Sequence, residues 1–158
     1  MRPDELITAL NAHNVKYIIV GGFAAILQGA NYVTQDIDFC YAREPENLER
    51  LIKALEPFHP VIRPNPQLEF NLTLLQENEN FTLETEAGEV DLLAYIDGLG
   101  SYAEVEKYAE IYQIYDQDYL VLSLEGLIAS KEALKRRKDL QLLEELRALL
   151  ALREEGNK

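Results

Sequence analysis

Asp36 and Asp38 alternate with the apolar Ile37 and Phe39. A strand has a period of two, so both carboxylates share one face while the apolar pair points into a core. A second segment has the same grammar, Glu89-Val90-Asp91-Leu92-Leu93. Carboxylates converging from two such strands repel one another, and the cluster persists only with cations among them. All-oxygen ligands favour Mg²⁺ or Mn²⁺ over zinc, and paired ions of this kind can hold a triphosphate and activate an incoming hydroxyl. The spacing alone carries little weight. With 28 acidic residues the chain has seven acid-x-acid pairs, among them Glu44/Glu46, Glu77/Glu79 and Asp116/Asp118. Context singles out Asp36/Asp38, because no other pair follows a strand that ends in two glycines.

That strand is Tyr17 to Val20, and the glycines are Gly21 and Gly22. Glycine lets the backbone approach a ligand closely, and the free amides of the helix that follows can bind triphosphate oxygens. The same pair also suits a tight strand-to-helix turn. The helix predicted over residues 22–29 ends at Gly29 as a C-terminal cap. Around these lie a first helix opening at Pro3-Asp4-Glu5, with Leu6, Ile7 and Leu10 on one face, and a helix from Glu46 to Leu55. Strands are expected at Asp36–Tyr41, Phe70–Leu74, Phe81–Glu84 and Glu89–Ile96, with Pro57, Pro60, Pro64 and Pro66 forming a loop or extended edge. Residues 101–107 read as a short helix. A hairpin joins Ile111–Tyr115 to Tyr119–Leu122, Ser123 caps a helix to about Leu134, and a last helix runs from Arg137 to about Arg153. The segment 1–153 reads as a single domain and 154–158 as a frayed tail.

Composition bounds the function. The chain has 158 residues, 47% hydrophobic and 27% charged, which is ordinary for one globular domain. It has no apolar run of membrane-spanning length, and its start leads into an amphipathic helix and not a secretory signal, so no membrane partner is expected. The single cysteine, Cys40, rules out an internal disulfide and a Cys-type zinc site, and points to a cytoplasmic setting. A net charge of −13 opposes wide, non-specific gripping of a polyanion but suits a cationic partner. Five of the 15 basic residues fall between Lys131 and Lys138, a local excess suited to triphosphate or acceptor charge. Lys131 is the candidate phosphate contact. The alternative is a solvated helix face with Glu132–Arg136 and Lys135–Asp139 pairs. The tyrosines Tyr95, Tyr102, Tyr108, Tyr112, Tyr115 and Tyr119 read as packing residues.

The order of strand, Gly-Gly turn, helix and Asp-Ile-Asp-Phe strand resembles the nucleotidyltransferase fold of the polymerase-β superfamily. Gly21-Gly22-Phe23-Ala24, Thr34-Gln35-Asp36-Ile37-Asp38, Leu127-Ile128-Ala129-Ser130-Lys131 and Arg137-Lys138-Asp139 together resemble its abortive-infection, AbiEii-like toxin–antitoxin branch. The resemblance spans Val20 through Leu140. It implies an α/β (α+β) fold with a mixed sheet of about five strands flanked by helices, and a C-terminal helical pair. It also implies that Asp36, Asp38 and Asp91 are catalytic metal ligands, with Asp91 able to accept the proton of the attacking hydroxyl. Gly21, Gly22, Thr34 and Lys131 become nucleotide-binding residues, Mg²⁺ (or Mn²⁺) the cofactor and an NTP the substrate. The implied reaction moves a nucleoside monophosphate to a hydroxyl of RNA or protein supplied in trans, in a toxin–antitoxin or phage-defence setting with a cognate antitoxin or helper protein. Tyr32 departs from the pattern, since an arginine is usual there. Two alternatives stand beside this reading. One is a catalytically degenerate interaction module, supported by Tyr32. The other is an aminoglycoside-type transferase acting on cationic small molecules, supported by the acidity.

Overall fold

Tyr17–Val20 is apolar at every position and forms the strand β1 near the centre of a seven-stranded sheet, buried on both faces. The computed structural model describes residues 1–114 and 116–157. Helix α1 (Pro3–Ala12) precedes β1; it begins with proline and two acids in its first turn and buries Leu6, Ile7 and Leu10 completely. Helix α2 (Gly21–Leu27) follows β1 without a loop, and β2 (Asp36–Tyr41) returns antiparallel to β1.

Helix α3 (Pro45–Leu55) leads to the short edge strand β3 (Val61–Arg63). Helix α4 (Leu72–Glu77) replaces the strand expected at Phe70–Leu74. The alternation there is overruled by a cap: the side chain of Asn71 accepts the backbone N–H of Leu74 at 2.9 Å and nucleates a helical turn that buries Leu75. Strands β4 (Phe81–Thr85) and β5 (Gly88–Leu93) form a hairpin, and a two-stranded ribbon of β6 (Tyr95–Ile96) and β7 (Gly100–Ser101) follows. Helix α5 (Tyr102–Glu106) precedes the hairpin of β8 (Ala109–Ile114) and β9 (Gln117–Leu122). The expected strand end at Tyr115 lies outside the described residues. Helix α6 (Leu124–Leu134) is capped by Ser123, which accepts the N–H of Gly126 at 3.1 Å. After a 3₁₀ turn at Arg137–Asp139, α7 (Leu140–Gly156) packs on α6 and stays helical past Arg153, where fraying was expected; Lys158 lies outside the described residues.

The sheet runs β3-β4-β5-β2-β1-β9-β8, wider than the five strands expected, and is mixed: β2 lies parallel to β5 and β1 parallel to β9. Three strand registers draw a line across it. Val20 sits opposite Asp38, Asp38 opposite Asp91, and Asp91 opposite Thr82. The alternation read from sequence therefore brings both acidic segments to one place.

Candidate active site

Asp36, Asp38 and Asp91 each offer a carboxylate oxygen, and these atoms lie within 4.8 Å of one another. Among the described residues this is the one group of three acids or other metal-binding side chains so placed. Glu89 shares their strand face but remains exposed and outside the group, as a solvated strand residue would. One oxygen each of Asp38 and Asp91 (Oδ1) is buried without any hydrogen-bond partner. A buried carboxylate oxygen left unpaired is costly.

The electrostatics agree. Burial, then the charges of Asp91 and Asp36, push Asp38 up to about 8, and Lys131 pulls only part of that back. Burial also raises Asp91, with Asp36 adding to the rise and Thr82 opposing it. Either a proton or a cation must sit among these groups at neutral pH. Half-buried carboxylates with two orphaned oxygens fit a hard divalent cation with oxygen ligands, and among the described residues the group includes no cysteine or histidine to favour a softer one.

The loop before β2 holds the first carboxylate. The Thr34 hydroxyl donates to Asp36 Oδ1 at 2.7 Å, so Thr34 orients an acid of the cluster. The glycines are needed for close approach. Gly21 has φ +67°, and a Cβ there would collide with the Asp38 carboxylate. A Cβ on Gly22 would lie 2.6 Å from the ring of Tyr32 and 3.3 Å from Thr34, so Tyr32 covers the second glycine.

A cleft of about 280 Å³ opens beside Asp38 and Gly21. Lys131 lines it, as does Arg136, which the sequence reading did not single out. Lys131 is not the solvated helix residue of the alternative reading: its side chain is 13% exposed and donates to Asp139 at 3.3 Å, while Arg136 Nε reaches the other Asp139 oxygen at 2.6 Å. Burial opposes ionisation of Asp139, but the hydrogen bonds and charges of Arg136 and Lys131 outweigh it and hold the carboxyl below its ordinary range. The i,i+4 pairs expected on that face do not form, since Glu132 pairs with Arg147 at 2.8 Å. Tyr95, read as a packing residue, is 56% exposed and lines the cleft, as does Asp97 in the turn closed by the Leu99 N–H on the Ile96 carbonyl. An exposed aromatic in a short ribbon has no period to betray it in the sequence. Cys40 is wholly buried, and burial pushes its thiol up to about 12, which leaves it inert.

No protein-family model and no curated protein matches this chain. Solved structures do. The lincosamide antibiotic adenylyltransferase LnuA, solved with lincomycin bound, superposes with a TM-score of 0.63 at 16% identity over 92% of this chain and 96% of its own. ANT(2")-Ia in complex with adenylyl-2"-tobramycin gives 0.58 at 16% identity, over 99% and 97%. An antigenic nucleotidyltransferase-like protein from Paracoccidioides brasiliensis gives 0.57 at 18% identity, over 96% and 78%. At such identities the likeness is one of architecture, and it agrees with the strand order and the helical C-terminus: the chain has the nucleotidyltransferase fold.

Proposed function

We propose that the protein is a metal-dependent nucleotidyltransferase, moving a nucleoside monophosphate from an NTP to an acceptor hydroxyl. The observation that carries this is the pair of orphaned buried oxygens on Asp38 and Asp91 within a three-carboxylate cluster, beside a cleft that Asp38 shares with Lys131 and Arg136. Asp36, Asp38 and Asp91 would hold Mg²⁺ or Mn²⁺, which when bound supplies positive charge to the triphosphate and to the developing pyrophosphate. Thr34 fixes the Asp36 carboxylate, and Gly21 leaves room for the Asp38 carboxylate beside the turn. Lys131 and Arg136, held by Asp139, neutralise phosphate oxygens in the cleft. Asp91 takes the proton of the acceptor hydroxyl as its oxygen bonds to the α-phosphorus and the bond to the pyrophosphate oxygen breaks.

The acceptor is RNA or protein, supplied in trans. The Gly-Gly-Phe-Ala, Thr34-to-Asp38 and Lys131-to-Asp139 motifs support membership of the toxin–antitoxin branch, with an antitoxin or helper as partner and the cytoplasm as setting. No helix among the described residues is long and apolar enough to cross a membrane. A second reading, transfer to a cationic small molecule, is favoured by the net charge of −13 and by the lincomycin and adenylyl-tobramycin of the two antibiotic-modifying structures.

Incubation of the protein with each α-phosphate-labelled NTP, Mg²⁺ or Mn²⁺ and cell extract tests the proposal. Label should move to an RNA, protein or small-molecule pool with the wild type and not with Asp38→Asn. Labelling of no pool, or equal labelling by both proteins, overturns it.

A further inference from the structure

Outside the cleft lies a groove of about 330 Å³ whose cations are Lys131, Lys135, Arg136, Arg137 and Arg147. Only two carboxylates share it, Asp139 and Glu132. Asp139 is buried and spends its charge on Lys131 and Arg136; Glu132 spends its own on Arg147. Lys135 and Arg137 are exposed and make no ion pair among the described residues. On a chain of net charge −13, a third of whose 15 cations line one groove, such concentration is not the pattern of a uniformly solvated surface.

Lys131 and Arg136 line both the groove and the cleft beside Asp38, so the two spaces meet at the same pair of cations. The backbone is bent to achieve this. Lys135 ends α6 in the left-handed region at φ 53°, a conformation that glycine or asparagine adopts more readily at a helix C-terminus. Keeping a lysine there, followed by extended Arg136 and the 3₁₀ turn at Arg137, sets three consecutive cations into the groove. The half-exposed Tyr95 in the adjoining cleft offers an aromatic face. Spaced cations leading to an exposed aromatic are what a single-stranded nucleic acid needs, phosphates on the former and a base stacked on the latter.

We propose that this groove binds the phosphate backbone of a single-stranded RNA acceptor and delivers its end, stacked on Tyr95, to the three carboxylates. The inference rests on the transferase reading for the delivered hydroxyl, but not for the binding. A cationic small molecule would be repelled from the groove.

The test is fluorescence anisotropy of a labelled single-stranded RNA 20-mer with the full chain, without metal or NTP, over a salt series. The wild type should bind with a slope of log affinity on log salt that reports several phosphate contacts, about 0.7 per contact. Lys135→Glu/Arg137→Glu should weaken binding by more than roughly tenfold and cut the slope by about 1.4, while the thermal shift induced by Mg²⁺ and NTP stays. Lys135→Gly relieves the left-handed strain, so it should fold at least as well as wild type yet bind RNA about threefold or more weakly and lose about 0.7 of the slope. Asp38→Asn should keep RNA binding while losing transfer, which separates failure of the groove from failure of the catalytic reading. Wild-type RNA binding no tighter than that of the double variant, or Lys135→Gly binding RNA as wild type does, overturns the proposal. So does nucleotide transfer to tobramycin by a protein that leaves RNA unbound.

Discussion

Replacing Asp38 by asparagine should stabilise the metal-free protein, and by an amount that depends on pH. In the folded chain the Asp38 carboxyl titrates near 8 in place of its ordinary 3.8, because burial and the charges of Asp91 and Asp36 disfavour ionisation. Between these values the folded state holds a proton that the unfolded state has released, so this contribution to stability falls as pH rises. At about 1.4 kcal/mol per pKa unit the whole displacement, from 3.8 to about 8, amounts to about 6 kcal/mol. Burial is the larger cause, but the cluster is coupled and Asp91 can carry the proton in place of Asp38, so removing Asp38 recovers only about half, or about 3 kcal/mol. In a chain of this size that is roughly 5–10 °C in Tm. Asparagine mimics the protonated acid. Differential scanning fluorimetry in chelator-treated buffers should therefore show wild type and Asp38→Asn melting together near pH 4. They should separate steadily above that, with the variant higher by the full amount above pH 8. Saturating Mg²⁺ with NTP should raise the wild type and leave the variant nearly unmoved, closing the gap. A difference in Tm that is flat with pH would mean that Asp38 is not the strained member of the cluster.

Gly21→Ala should lose at least about 1–2 kcal/mol of stability, since its φ of +67° and the adjoining Asp38 carboxylate both exclude a Cβ; chemical denaturation reads this directly. Lys131→Ala should lower Tm by a few degrees as well as weakening NTP binding, because it strips one partner from the buried Asp139; an unchanged Tm contradicts the ion pair seen here. Thr34→Val should lower labelled-nucleotide transfer about tenfold with little change in stability, by freeing the Asp36 carboxylate to rotate; unchanged transfer removes Thr34 from the site. Asn71→Ala should cost about 1 kcal/mol in urea denaturation through loss of the α4 cap.

The part of the fold that positions the acids was legible because its signals are local. Period-two alternation placed Asp36 with Asp38, and Asp91 within its own strand, and Gly21 marked the turn that Asp38 crowds. Phe70–Leu74 misled because alternation over five residues is weak, and one side-chain cap at Asn71 was enough to favour helix. The role of Asp139 was not legible. It depends on Lys131 and Arg136 meeting one carboxylate across the break between α6 and α7, and that break turns on Lys135 taking a left-handed conformation that composition would assign to glycine. Tyr32 read as a departure from a motif, and only the three-dimensional arrangement shows its ring lying over Gly22.

Metal binding by the three carboxylates is tested by a crystal of the full chain soaked with Mn²⁺ and a non-hydrolysable NTP analogue, measured for anomalous scattering from manganese. Anomalous density is expected among the Asp36, Asp38 and Asp91 carboxylates, in contact with the orphaned Oδ1 atoms of Asp38 and Asp91, with a triphosphate alongside Lys131. Manganese and triphosphate bound elsewhere, with the three carboxylates left bare at saturating metal, would contradict it.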